Sequence, residues 1–523
     1  MATALPSESN REAALEKRLR QMEEENRKLG KALESTLKQY GNQMDKLQKE
    51  ISDLKSKVNE AKDLTKQNSD SKGDGSGAGR GGGSGSRGPG SGTGSAGGAA
   101  SDRSGAPGYM TSGTRGQKTT PIKARFGNGF ELITEDDEFQ LQIHQETQTD
   151  LRIFEPNGDY TYFDNLVFPR VRLFLNGRVT KQWEYMFSIN RGFGALDILD
   201  AWVNYHPSDA FQIKVGRFMT PFNYEQFAIQ NMWLIAPERS LFTSNLGLNR
   251  MLGAQVWGQA LNKRLDYAAG VYDGPRNSHE DFNSAKDIMA YLNARPFEQG
   301  ESILKYLNFG GSFAYGAQRN PLVPRAWRTA TNASNAGTAD TVAPPFYIFN
   351  STVIERGVRS FWSAHVAYFH RSLSLLADYN SGILRYAPKA SALESVTIPV
   401  TGYSIALGYF LTHEQLDRRT IIDPIRPFNL KHGEFGLGAI EVIGRFHTID
   451  FDPDMLASSL TTPGLWTNRV WATNVGINWY LTKYIKAIFD WQHNEYAAPV
   501  LYGQPDLRSV TNNLFWMRLQ LYF

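Results

Sequence analysis

From about residue 118 to the C-terminus, apolar side chains recur at every second position in short runs broken by Gly, Pro, Asn and Asp. In the last eleven residues Phe515, Met517, Leu519, Leu521 and Phe523 alternate with Leu514, Trp516, Arg518, Gln520 and Tyr522. The same period sets Trp183, Tyr185, Phe187 and Ile189 against Glu184, Met186, Ser188 and Asn190, and Leu199, Ala201, Val203 and Tyr205 against Asp200, Trp202, Asn204 and His206. Val475, Ile477, Trp479 and Leu481, then Ile485, Ala487, Phe489 and Trp491, repeat it. A period of two belongs to extended strands, whose successive side chains point to opposite faces. A soluble sandwich would turn the greasy face to a core, whereas a membrane barrel would turn it to lipid and the polar face to an aqueous lumen. At about 25 residues per strand and turn, this region holds roughly sixteen strands.

The first 70 residues follow another period. Leu15, Leu19, Met22, Asn26, Leu29 and Leu33 recur at alternating steps of four and three, and most residues between them are Glu, Lys, Arg and Gln. That spacing predicts an α-helical coiled coil over residues 1–70. A second step of four, Leu33 to Leu37, is a stutter that unwinds the supercoil slightly; the seam then runs through Tyr40, Met44, Leu47, Ile51, Leu54 and Val58. Asn26 in a core lane restricts register and strand number. Residues 71–117 are almost entirely Gly, Ser and Ala with scattered Arg, which predicts a disordered, flexible linker. Gly92, Gly94 and Gly97 within it match dinucleotide-binding spacing, but no strand precedes them and no helix follows, so the match is a chance one.

Composition decides between sandwich and barrel only in part. Mean hydropathy is -0.43, and no run of apolar residues is long enough for a membrane helix. The 30 Phe, 23 Tyr and 11 Trp suit a barrel with two interfacial girdles. Without cysteine the chain has no disulfide, thiol nucleophile or Cys-ligated metal. Residues 118–523 carry 37 Lys and Arg against 38 Asp and Glu, a balance that argues against nucleic acid as a partner. The almost unbroken apolar face that stops at Phe523 is the expected signal for the barrel assembly machinery. The fold expected for residues 118–523 is therefore an all-β transmembrane barrel of about 16 antiparallel strands in the outer membrane.

Several runs extend this reading. Phe211-Gln-Ile-Lys-Val-Gly-Arg-Phe-Met-Thr-Pro-Phe222, Glu238-Arg-Ser240, Arg250-Met-Leu-Gly253, Gly402-Tyr-Ser-Ile-Ala-Leu-Gly-Tyr-Phe-Leu-Thr412, Gly438-Ala-Ile-Glu-Val-Ile-Gly-Arg-Phe446 and Gly476-Ile-Asn-Trp-Tyr-Leu481 occur in that order. Together they resemble the phosphate-selective porin O and P family, from about residue 120 to the C-terminus. The resemblance implies a trimeric sixteen-stranded outer-membrane barrel, a loop folded into the lumen and basic residues along an anion path. It does not cover the coiled coil or the linker. Three such N-termini on the periplasmic side could join in one coiled coil and reach toward the cell wall.

Conduction needs no catalyst, metal or cofactor; it needs fixed charges along a water-filled path that bind weakly enough to release. Arg170 and Arg172 lie opposite Val171, Leu173 and Leu175, so parity turns both toward the lumen, as it does Lys214 opposite Ile213 and Val215. Arg217 has lipid-side parity and reads as interfacial at a strand end. Arg239 and Arg250 fall in the weakly patterned segment from Asn223 to Arg250, where the resemblance places the inward loop, and are the residues expected at the constriction. Glu441 and Arg445 are four apart, hence same-faced, with His447 beside them, and read as a lumenal ion-pair cluster. Since the charges balance, anion preference has to come from placement.

The expected function is a porin for small anions such as phosphate or polyphosphate, in a homotrimer surrounded by outer-membrane lipid. The alternative is a general diffusion porin whose coiled coil mainly tethers outer membrane to cell wall. A trimeric adhesin anchor needs far fewer strands per chain. An enzyme would need a constellation that the isolated His144, His206, His365 and His447 do not form. Met1 to Asn10 lacks the basic start and apolar core of a secretory signal, so the expectation is that the signal has been removed or the start misplaced.

Overall fold

The computed structural model describes residues 120–155, 164–193, 195–277, 279–330, 343–389, 395–502 and 507–523. The predicted coiled coil of residues 1–70, with its seam from Leu15 to Leu54, and the linker of residues 71–117 lie outside the described residues.

The alternating runs form strands. A leading hairpin, β1 (Ile122–Phe126) and β2 (Phe130–Thr134), is followed by β3 (Gln140–Glu155), β4 (Asn165–Thr180), β5 (Trp183–Gly192), β6 (Ala195–Ser208), β7 (Phe211–Met219), β8 (Arg250–Ala260), β9 (Leu265–Tyr272), β10 (Asp287–Ala294) and β11 (Tyr306–Asn320). After the short pair β12 (Trp327–Arg328) and β13 (Pro345–Tyr347) come β14 (Val353–His370), β15 (Leu373–Pro388), β16 (Val396–Phe410), β17 (Ala439–Phe451), β18 (Arg469–Tyr480), β19 (Ile485–Leu501) and β20 (Arg508–Tyr522). Sixteen of them, β3 to β11 and β14 to β20, pair antiparallel with their chain neighbours. The cylinder closes where β20 meets β3, in register from Asn513↔Glu155 to Tyr522↔Glu146. Closure leaves no edge among these sixteen strands, as hydrocarbon requires, while β1 of the leading hairpin pairs on one side, with β2.

Side-chain parity identifies the surrounding solvent. On β19 Phe489 and Trp491 point outward and are exposed, whereas Asp490, Gln492 and Asn494 point inward and are buried. Ile288, Leu292, Phe309, Phe313, Ile405, Leu407, Phe515 and Leu519 continue the exposed apolar belt. A protein apolar outside and polar inside is built for lipid. Leu199 departs from the expected alternation. A bulge between β5 and β6 shifts the register beside it and leaves Leu199 buried, the usual effect of one extra residue on facing.

Gly216, inside one of the family-like runs, allows the β6–β7 pairing. Its φ is +133°, and a Cβ there would lie 2.2 Å from the Ala201 carbonyl oxygen, a conformation and a space that only glycine accepts. Gly216→Val is expected to abolish assembly of heat-modifiable barrels, scored as the folded band on unheated gels against wild type.

The chain termini of the described barrel lie at the end with short turns. The opposite end carries the longer connections, among them residues 220–249, 321–352 and 452–468. In outer-membrane barrels the short turns are periplasmic and the long loops extracellular.

Candidate functional site

The connection of residues 220–249 does not stay at the loop end; it folds into the lumen. Asn223, at φ +50°, caps a one-turn helix Tyr224–Phe227 by accepting the Gln226 amide, and a second short helix covers Leu241–Leu246. Phe222, Ile229, Leu234, Ile235, Leu241 and Phe242 are buried. The stretch between these helices, with one 3-10 turn over Asn231–Trp233, exposes carbonyls that a dry contact must satisfy. Lumen-facing side chains of β17 to β20 supply the donors. Gln520 Nε2 donates to the Met232 carbonyl (3.2 Å), Lys486 Nζ to Leu234 (3.3 Å) and Asn478 Nδ2 to Ile235 (2.8 Å), while Arg518 and Arg445 donate to Pro237 and Glu238. His447 Nδ1 accepts the Leu241 amide at 2.9 Å. One wall of the barrel is thus occupied in stapling the loop.

Glu238 fixes the loop to the rest of the cylinder. Its carboxylate receives Arg170 at 2.7 and 2.6 Å and Arg518 at 2.8 Å. Arg518 also grips Asp150 at 2.6 and 2.8 Å, and Asp150 holds Arg152 at 2.9 Å. All five side chains are buried. Burial alone would raise the Glu238 carboxyl, but the guanidiniums of Arg170 and Arg518 outweigh it and hold the group well below the usual carboxylate range.

Two spaces lie along the loop's other face, against β3 to β8. On its loop-end side a crevice is lined by Arg170, Arg172, Arg239, Arg250, Arg276, Arg325 and Arg328, with Glu238 the one carboxylate among the lining residues. On the turn-end side is a chamber of about 560 Å³. Arg172, Arg239, Arg250, Gln226 and Asn231 line both, so these five side chains mark the neck between the two spaces. Arg239 is braced by the loop itself, donating to Asn231 Oδ1 and to the carbonyls of Glu225 (3.3 Å), Gln226 (3.4 Å) and Ile229 (3.1 Å). Arg250 pairs with Asp200 at 3.0 Å and Arg172 with Glu146 at 3.1 Å. Below the neck, Lys214 Nζ lies 4.4 Å from the Trp202 ring and 4.5 Å from the Trp257 ring. Two indole faces hold this ammonium without neutralising it. It lines the chamber and an adjoining space of about 600 Å³.

Of the residues expected on the path, Arg172, Arg239 and Arg250 line both spaces, Lys214 lines the chamber, and Arg170 lines the crevice while tied to Glu238. Glu441 and Arg445 are placed otherwise. Both are buried beneath the loop and do not pair with each other. Glu441 takes Arg419, Asn478 (2.9 Å) and Tyr480 (3.2 Å); Arg445 takes Asn474, the Glu238 carbonyl and, at 3.7 Å, Glu225. The inward loop presents nearer acceptors to Arg445, and a chain segment from the turn end brings Arg419 to Glu441. Arg217 keeps its strand-end position but is buried, donating to the carbonyls of Ile198, Leu199 and Asn277. Phe523 pairs through its backbone with Gln145 and sets its ring 6.0 Å from Phe126. Asp150, Arg152, Glu238, Arg276, Arg328, Arg419 and Arg518 were not singled out from the sequence. The inward parity of Arg518 was visible, but nothing local indicated its partners.

The model of the family described as phosphate-selective porin O and P matches residues 141–523. Porin O of Pseudomonas aeruginosa is 24% identical over 382 residues, covering 68% of this chain and 83% of its own. Among solved structures, OmpT of Vibrio cholerae in its trimer form aligns over 74% of this chain and 100% of its own, with 8% identity and a TM-score of 0.44. An anion-selective porin from Comamonas acidovorans aligns over 74% and 100%, with 11% identity and a TM-score of 0.44. A closed sixteen-stranded barrel, an inward loop and a family match over every barrel strand but the leading hairpin agree: the chain belongs to the phosphate-selective porin O and P family and is an outer-membrane porin.

Proposed function

We propose that the protein conducts small anions passively across the outer membrane, with phosphate or polyphosphate as the solute class. The observation that carries this reading is the neck itself. Seven arginines and one carboxylate line the crevice in a barrel region whose charges otherwise balance, and positive charge focused between low-dielectric walls concentrates anions there. Pairing of Arg172 and Arg250 with carboxylates weakens their field without cancelling it. Arg239, bonded to neutral acceptors, and Lys214, between two rings, keep theirs.

Single-channel recording in planar bilayers tests the reading. In a potassium chloride gradient the reversal potential is expected to have the sign of anion preference, and phosphate added to chloride is expected to reduce the current. Cation preference would overturn it; anion current without phosphate block would leave a general porin. Silence from folded protein would favour the structural alternative, a tether between outer membrane and cell wall.

The same reading takes the protein as a homotrimer whose residues 1–70 form a periplasmic coiled coil. Gln145, Thr147 and Thr149 support a subunit contact, being polar at outward positions of β3 where lipid would select apolar side chains. Openings in steps of three would accompany such an assembly.

A further inference from the structure

Every described connection at the turn end but one is short, from 2 to 11 residues; the exception joins β16 to β17 over residues 411–438. This segment enters the barrel from the side opposite the inward loop. Its Leu416 and Ile422 are buried in one apolar cluster with Ile229, Leu234 and Ile235 of that loop. Between them Arg419 reaches deeper and is almost fully buried, its side chain 2% exposed. Arg419 Nε donates to the Trp233 carbonyl at 3.0 Å and Nη2 to the Leu234 carbonyl at 3.5 Å. The other donors embrace Glu441 on β17, and Tyr480 on β18 adds a contact of 3.3 Å. Nη1 also donates to Ser374 Oγ on β15 at 3.4 Å, so the hydrogen-bonding capacity of this guanidinium is spent on two loop carbonyls, one wall carboxylate and two wall hydroxyls.

From this we propose that residues 411–438 are a periplasmic-side latch, with Arg419 the positioning residue that holds the inward loop against the barrel wall and so sets the bore of the neck. Residues 232–235 are the part of the loop farthest from the Glu238 knot in the direction of the turn end. They lead directly into Pro237, Glu238 and Arg239, so their position is transmitted along a short, extended stretch of chain to the neck. A fork of five donors can bridge a carboxylate and two carbonyls at once; an ammonium at the same place cannot reach all of them. Burying Arg419 here makes chemical sense only if both partners stay in place, since the loop and the wall each leave an acceptor unmatched when it is gone. Anion binding does not account for Arg419, because no donor is left to face the passage.

The inference uses conduction as its readout and rests on the channel reading to that extent. Failure of that reading shows as a silent or cation-preferring wild type; failure of the latch shows as a conducting wild type with unaltered variants. In full-length protein purified as folded barrels, Arg419→Ala is expected to raise single-channel conductance about twofold and to add rapid current fluctuations as the loop moves. Because Arg419→Ala also leaves Glu441 unpaired, the double variant Arg419→Ala/Glu441→Gln separates charge from position: a latch predicts that both the larger steps and the noise persist in it. Wild-type conductance and noise in the double variant would overturn the proposal. If Arg419→Ala does not fold, Arg419→Lys keeps the charge and part of the bonding and is expected to show excess noise at wild-type selectivity; a quiet Arg419→Lys channel would overturn it equally.

Discussion

Glu238→Ala is expected to lower the thermal unfolding temperature of the barrel sharply and to enlarge and destabilise the conducting state together. The carboxylate bridges Arg170 on β4 and Arg518 on β20. Without it Arg518 keeps Asp150, but Arg170 retains only Gln148, at 2.6 Å, as its side-chain acceptor among the described residues. Leaving a buried cation without its partner costs about 3–5 kcal/mol, far more than the loss of an exposed pair. Glu238→Gln preserves shape and one acceptor oxygen and should fall between. The carboxyl is held low in the folded protein, so its contribution is complete above its unfolded value of about 4.3 and is lost as pH falls toward the folded value. Wild type should therefore lose stability on acidification below about pH 4.3 more steeply than Glu238→Ala. Unfolding followed by circular dichroism in detergent, with conductance on the same preparations, measures both effects. An unchanged unfolding temperature in Glu238→Ala would show that the knot is not what secures the loop.

What could be read from the sequence is what two solvents impose. Lipid outside and water inside act on every strand residue, so parity alone placed Trp183, Phe489 and Phe515 outward and Arg170, Arg172, Lys214 and Arg518 inward. It failed where one residue breaks the period, as at the bulge that buries Leu199. Parity also says nothing about what an inward side chain meets. Arg172 and Arg445 have the same facing, yet one borders the neck and the other lies under the loop, because the loop rests on β17 to β20 and leaves β3 to β8 open. That choice is made by contacts more than 200 residues apart, such as Arg445 with Glu238. Glu238 and Arg419 sit in segments without strand periodicity, where no pattern distinguishes a staple from a solvated charge. Arg239 and Arg250 were reached by locating the inward loop through family resemblance, and they sit at the neck, although Arg250 is the first residue of β8 and not part of the loop proper.

Arg250→Ala is expected to lower anion preference sharply, because it removes a positive charge at the neck and bares the carboxylate that the guanidinium offsets. In wild type Asp200 offsets part of the Arg250 charge as seen from the neck. Removing the guanidinium leaves the buried Asp200 carboxylate with Ser188 as its side-chain donor, close to Arg172 and Lys214. A unit charge acts on an ion about 8 Å away with about 2 kcal/mol at an effective dielectric of about 20, which corresponds to about 30-fold in local anion occupancy. Water in the lumen screens part of this, so the anion-to-cation permeability ratio should fall about tenfold. Arg239→Ala acts differently: it removes a cation braced by carbonyls, frees the loop around Asn231, and should lower selectivity less while raising conductance. The double variant Arg250→Ala/Asp200→Asn restores neutrality at the first site and is expected to recover selectivity to within about twofold of wild type. Reversal potentials in matched potassium chloride gradients read all three. Wild-type selectivity in Arg250→Ala would mean that permeating anions do not pass this neck.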